Sequence, residues 1–298
     1  MAAVYPVSAG IPTFSDKMNP TIWSQKLVKE LYKSTLFGEI CNRDYEGEIK
    51  NQGDKVVIRS LPEVIIRDYV LGSGFIPDSP TPVSQELLID KGKVFAFNVL
   101  DLQKKQSDLD YESQWLQHYA TKMQIAVDVD VLQNIYDDIS ADNTGSTAGL
   151  QSNDINLGVS GTPFQMTTST ALGKIIDCGT VLDEQEVDGE GRFIVLPPWV
   201  IGLLKQSDLK SVQITGDDQS PLRNGRVGMI DRFHVYSSSS LKTATDTVTV
   251  WNCIFGHRMA TTFAAQLTKN ETKQNPNDFG HFQAGLLVYG YKVVQPKA

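Results

Sequence analysis

The residue types that perform chemistry are present in this chain, but their spacing does not assemble a site. Four histidines, His118, His234, His257 and His281, could ligate a metal or carry a proton. No two of them stand three or four residues apart, the spacing that puts a pair on one helical face. Each therefore reads as a solvated or hydrogen-bonded structural histidine. The phosphate-cradling G-x-x-x-x-G-K-[ST] and G-x-G-x-x-G loops are absent, as are H-E-x-x-H and the G-x-S-x-G nucleophile elbow. Glu184, Glu186, Asp188 and Gly189 resemble the front half of a calcium loop, but its twelfth position is Val195, where a bidentate glutamate is required. An acidic turn between a helix and a strand is the expectation there. Asp128 and Asp130 lie beside an apolar stripe and read as its solvated flank; pairing with a basic residue of a neighbouring element is the alternative. Cys41, Cys178 and Cys253 are far apart and odd in number, which argues against a disulfide framework and for buried thiols in a reducing compartment. Asn270-Glu-Thr272 matches a glycosylation sequon, with no secretory signal to give it meaning. No catalytic, cofactor-binding or metal-ligating residue is assigned, and no cofactor is expected.

The elements that would position any site are more informative. Tyr111, Trp115, Tyr119, Met123, Val127, Val131, Ile135 and Ile139 recur at i+4, and Lys93 to Thr144 contains neither glycine nor proline. With Ser107 and Asp110 as a capping pattern, the spacing predicts a helix over 107–139, roughly 48 Å long. Each i+4 step drifts about 40° around a 3.6-residue helix, so the stripe winds about 280° over its length. One flat partner cannot cover it; different partners must meet it in turn. Before it, β-branched runs at Val56–Ile58, Val64–Val70, Leu87–Ile89 and Val94–Val99 flank a Pro/Gly-rich tip at 71–83. They predict a long antiparallel ribbon over 48–100, which needs a cover to persist in water.

Residues 1–18 read as an extended arm, followed by a helix from Asn19–Pro20 to about Phe37 that Gly38 would stop. Residues 140–168 read as a connection. A helix is expected over Ser169–Val187, a buried strand over Arg192–Leu196 and a short helix over Trp199–Lys205. A polar loop over 207–225 follows, then strands over Val227–Tyr236 and Thr247–Phe255. A helix over Arg258–Leu267, a polar run over 268–278 and a strand over Gly285–Gln295 close the chain. The fold class is α+β.

Among the 298 residues, 41% are hydrophobic and 21% charged, as in ordinary folded proteins, and the net charge is −8. That balance argues against a general nucleic-acid-binding surface and against attraction to anionic membranes. No apolar run approaches the length of a membrane span, and no leader is visible at the N-terminus.

The order of these parts resembles HK97-like phage major capsid proteins. The resemblance rests on Leu88-Ile-Asp-Lys-Gly-Lys-Val-Phe-Ala-Phe running toward Asp101 and the long helix. It rests also on Arg192-Phe-Ile-Val-Leu-Pro-Pro before a short helix, and on the closing Gly285-Leu-Leu-Val-Tyr-Gly-Tyr-Lys-Val-Val-Gln-Pro. It implies an HK97-like capsid fold with an N-terminal arm (1–47), an extended β-ribbon loop (48–100), a peripheral domain (101–164 with 271–298) containing the spine helix, and an axial domain (165–270). It implies a non-enzymatic subunit that self-assembles as hexamers and pentamers into an icosahedral head in the host cytoplasm. That head encloses double-stranded DNA without sequence-specific binding and has no membrane. Scaffold, portal and decoration proteins are the implied partners; the arm is too short to contain a fused scaffold. Some family members crosslink a lysine near the loop tip to a neighbour's asparagine; residues 71–83 here contain no lysine, so no such crosslink is expected. The spine helix is expected to bend in a precursor shell and straighten on maturation. An encapsulin-like compartment shell and an α+β enzyme lacking a short motif stay open as alternatives.

Overall fold

The computed structural model describes residues 35–45, 55–60, 62, 64–68, 71–72, 74, 77, 79, 81–100, 111–159, 161–207, 228–245, 249–275 and 279–298. The arm of residues 1–18, the helix expected from Asn19, the Ser107 cap and most of the 207–225 loop lie outside them.

The spine helix, α2, runs Tyr111–Asn134 and continues as a 3-10 turn over Ile135–Asp138. It ends short of Ile139, which is extended. Near that end the Asp130 carbonyl accepts from two side chains, Asn134 Nδ2 at 2.8 Å and Tyr291 OH at 3.2 Å. Both bonds tie this end of the spine, one to its own last turn and one to Tyr291. The winding stripe meets successive partners, as its periodicity demands. Tyr119 and Met123 pack on Phe95, Phe97 and Val99. Val127, Val131 and Ile135 enter the main core with Phe193, Val195, Phe263 and Tyr289. At its ends the stripe stays partly open, with Trp115 and Ile139 each 41% exposed.

The described strands form four sheets. β1 (Lys55–Ser60) and β2 (Val83–Leu88) form an isolated antiparallel pair with Lys55 opposite Leu88. β3 (Lys91–Leu100) does not prolong that ribbon. It pairs with β11 (Gly280–Val293), which pairs in turn with β10 (Thr261–Gln274). The expected second ribbon arm is therefore divided between two sheets. Pairing makes the division: β3 lies along β11 and turns Phe95, Phe97 and Val99 to the spine, while Val94 stays 74% exposed. Residues 64–68, expected in a strand, are not in one.

The third sheet has order β5-β6-β4-β9. β4 (Arg192–Leu196) is buried at all five positions, parallel to β6 (Phe233–Ser237) and antiparallel to β9 (Ile254–His257). The expected strand over Val227–Tyr236 is split into β5 (Met229–Ile230) and β6 by a turn at Asp231 and Arg232, both at positive φ. The run expected over Thr247–Phe255 is likewise two pieces, β8 (Thr249–Trp251), paired with β7 (Thr243–Thr245), and β9. Helices α3 (Ala171–Glu184) and α4 (Pro198–Gln206) cover one face through Ile175, Leu182, Val200 and Leu204.

Two further expectations are corrected. Gly38 does not stop a helix; it lies inside the single turn α1 (Phe37–Ile40). The helix expected over Arg258–Leu267 is strand β10, and that strand takes in most of the polar run after it. Pairing with β11 from Thr261↔Val293 to Gln274↔His281 overrides the helix-favouring Ala264–Ala265. The strand runs unbroken through residue 270, paired with β11 along its length. Glycine places the ribbon base on that sheet. A Cβ at Gly290 would collide with the Leu88 carbonyl, and one at Gly285 with the Phe95 ring. Ile58, Leu87 and Ile89 seal the seam against Ala264.

Candidate assembly interface

Beyond its base the ribbon buries little. Val64, Ile65, Ile66 and Leu71 are 66%, 58%, 93% and 87% exposed. Single exposed aliphatics are ordinary, but four large ones within eight residues, at the end of a ribbon paired over only six, mark a surface made to be covered. Fully burying one such side chain contributes about 1.5–3 kcal/mol, so four contribute roughly 6–12 kcal/mol as an upper bound. Association itself costs about 4–15 kcal/mol, so one ribbon tip barely offsets the loss of freedom. Contacts of this size favour a lattice, in which each subunit makes several, over an isolated pair. Phe279, 89% exposed just before β11, adds a second apolar point.

The polar residues singled out in the sequence serve this framework. Asp128 is not solvated: it is 2% exposed, and its Oδ1 accepts from the Leu36 and Phe37 N–H groups at 2.7 and 2.8 Å. α1 has no capping side chain of its own, so this carboxylate from the spine does the work. Asp130 takes the alternative role. Its Oδ2 accepts from Lys91 Nζ at 3.2 Å and Tyr289 OH at 3.1 Å. Lys91 also contacts the Tyr291 hydroxyl. Burial alone would lower the Lys91 pKa, but its bonds to Tyr291 and Asp130 outweigh that and raise it. Burial, reinforced by the Asp130 charge, pushes the Tyr289 hydroxyl well above its ordinary value.

The acidic turn after α3 already has its cation. Arg192, with no exposed surface, donates to the carbonyls of Asp188 (2.8 Å), Val187 (2.5 Å) and Gly179 (3.4 Å) and to Asp183 Oδ1 (2.6 Å). Arg232 holds the other Asp183 oxygen at 2.6 Å. Against the upward push of burial, the two guanidiniums hold the Asp183 carboxyl below the usual range. Glu184 turns away and accepts from the Gln151 and Ser152 N–H groups, which lowers its pKa. The half calcium motif is thus a guanidinium-filled turn.

The histidines sit on four separate elements. His118 edges Tyr119 on the spine, His234 is on β6, and His281 opens β11. At the end of β9, His257 Nδ1 accepts from the Met259 N–H at 3.2 Å, so Nε2 carries a proton and donates to the Glu190 carbonyl at 2.6 Å. Among the described residues no three His, Cys, Asp or Glu side chains come together as a metal site. Two open hollows, of about 430 and 690 Å³, flank the acidic turn. The first has no serine, cysteine or lysine in its lining. In the second, Ser140 is bonded to Asp142 and His257 to its own turn. No helix among the described residues is long and apolar enough to cross a membrane.

Sequence reasoning missed Lys91, Arg192, Tyr289 and Tyr291 as structural polar residues. The one signal available was the pair of acids set into Val127-Asp-Val-Asp-Val131, since a charge beside a buried stripe needs a partner.

A ribbon, a spine, the three-stranded sheet beside it and a separate four-stranded sheet make up the HK97-type fold of phage capsid subunits. A chain of Mycobacterium phage Che8 is similar at 24% identity with a TM-score of 0.77, over 95% of this chain and 96% of that one. The capsid structure of cyanophage P-SCSP1u is similar at 13% identity and 0.75, over 98% and 94%. The mature capsid of bacteriophage PhiM1 is similar at 13% and 0.70, over 94% and 90%. A comparison with curated protein sequences gives no match. The chain belongs to the phage capsid protein family, whose model matches residues 84–298. As a phage capsid protein, it is located in the virion capsid.

Proposed function

We propose that copies of this chain close as hexamers and pentamers into an icosahedral head around double-stranded DNA, with no catalytic step. The observation that carries this reading is the exposure, among the described residues, of Val64, Ile65, Ile66 and Leu71 at the ribbon tip. We assign the spine and the β10-β11-β3 sheet to a peripheral domain, and the β5-β6-β4-β9 sheet with α3 and α4 to an axial domain that meets its copies around the symmetry axes. The extended loop (48–100) lies over a neighbour, and the arm (1–47) adds to the contacts that close the lattice. Assembly takes place in the host cytoplasm, with scaffold, portal and decoration proteins as partners. An acidic chain encloses DNA without gripping its sequence. The spine bends in the precursor and straightens in the mature head; a precursor map with an already straight spine would reject that step. With no lysine in 71–83, no autocatalytic crosslink forms at the tip, and boiled shells run as monomers.

The decisive experiment is electron microscopy with size-exclusion chromatography of the full chain. Shells or capsomers are expected. A compact monomer or dimer whose residues 64–71 resist protease would overturn the proposal.

A further inference from the structure

Two carboxylates two residues apart on the spine grip two different segments, one at Leu36–Phe37 and one at the start of β3. Asp128 holds Leu36 and Phe37, where the N-terminal segment reaches the core. The far end of that segment is tied to β10: the Asn42 N–H donates to the Thr261 carbonyl at 2.7 Å, and the Phe263 N–H to the Asn42 carbonyl at 2.8 Å. Asp130 holds Lys91, the first residue of β3, three residues beyond the end of the ribbon strand β2. Residues i and i+2 on a helix point about 200° apart, so the two grips lie on opposite sides of one turn. Val127 and Val131, both without exposed surface, fix that turn in the main core.

We propose that Asp128 and Asp130 form a junction coupling the root of the N-terminal segment to the root of the ribbon. A roll of the spine by about 20° moves a carboxylate lying roughly 5 Å from the helix axis by about 2 Å. That movement breaks a charge-assisted hydrogen bond on either side. A load on the ribbon is therefore transmitted through one helical turn to Leu36 and Phe37, and the reverse transfer follows by linkage. The junction rests on the capsid reading only for its purpose, since the geometry belongs to the single subunit.

Hydrogen exchange on the unassembled full chain tests it. Asp130→Asn removes the charge that Lys91 and Tyr289 meet, and touches nothing in residues 36–42. The Leu36 and Phe37 amides are expected to exchange at least fivefold faster in that variant. Reciprocally, Asp128→Asn is expected to speed exchange in the first residues of β3 by a similar factor. Should Asp130→Asn fail to fold, Tyr291→Phe, which deletes one hydroxyl from the same cluster, is read in its place. Exchange confined to the side carrying the substitution overturns the junction. An equal rise at β4 amides such as Ile194 also overturns it, because that reports global loss of stability. Micrographs without shells would count against the capsid reading and leave this result standing.

Discussion

Replacing Arg192 with methionine tests the account of the acidic turn. Methionine approximates the arginine stem in volume and removes every donor. Two short bonds from a cation to the Asp188 and Val187 carbonyls are lost, each contributing about 1.5–3 kcal/mol. The bond to Asp183 adds at most about 1 kcal/mol, because that side chain is 45% exposed and water replaces the guanidinium. Apolar packing of the new side chain returns part of the loss. The sum is about 4 kcal/mol. At about 2 °C per kcal/mol for a chain of this size, the melting temperature of the unassembled protein falls by about 8 °C. Arg192→Lys keeps the charge but not the planar fork, and recovers less than half of that. The pH dependence adds a second readout. Asp183 has a lowered folded pKa, so its contribution is present above its unfolded value near pH 4 and disappears as pH falls through the depressed one. Arg192→Met removes one of the two cations behind that shift and flattens the acid limb. A melting temperature within 2 °C of the parent protein, or full rescue by lysine, would refute the argument.

Ile66→Asp leaves the unassembled subunit within about 0.5 kcal/mol of the parent, because the side chain is 93% exposed, yet it abolishes shells in micrographs. Leu87→Ala, at a position with no exposed surface under the ribbon base, costs about 2–5 kcal/mol in urea titrations of the unassembled chain. Lys91 and Tyr289 both have raised folded pKa values, so their contribution is intact below about pH 10 and is lost as pH climbs through those values. Tyr289→Phe makes alkaline unfolding curves shallower. Burial pushes the Cys41 thiol up to about 12, so its alkylation at pH 8 is slow until the protein unfolds, whereas the exposed Cys253 reacts in the folded protein.

The spine was legible because i+4 recurrence over many turns has one structural meaning, and its winding correctly required several partners. β4 was legible for a related reason: a short apolar run closed by two prolines leaves little choice. Other elements depended on partners distant in sequence. β10 looks helical by composition at Ala264–Ala265 and becomes a strand because β11 lies beside it. β3 looked like a ribbon arm because alternation reports that one face is buried, not which sheet buries it. Val64 to Arg67 carries the β-branched residues of a strand and is not one; propensity describes a half-buried surface that these exposed positions do not have within the subunit. Asp128 looks like a solvated flank by local pattern because its donors come from 91 and 92 residues away. Arg192 was passed over at the head of an apolar run, where nothing local indicates that an arginine is inside.

Position 290 bears a single hydrogen where any other amino acid would carry a carbon, and the Leu88 carbonyl occupies that space. The ribbon is thereby mounted like a pointer on a very short hinge. Its paired length of six residues reaches about 20 Å from that mounting, so a tilt of only about 5° at the base swings the far end by nearly 2 Å. Accuracy of aim in a closed lattice therefore traces back to one missing methyl group, while the swinging end itself can vary in length and composition with little effect on the hinge.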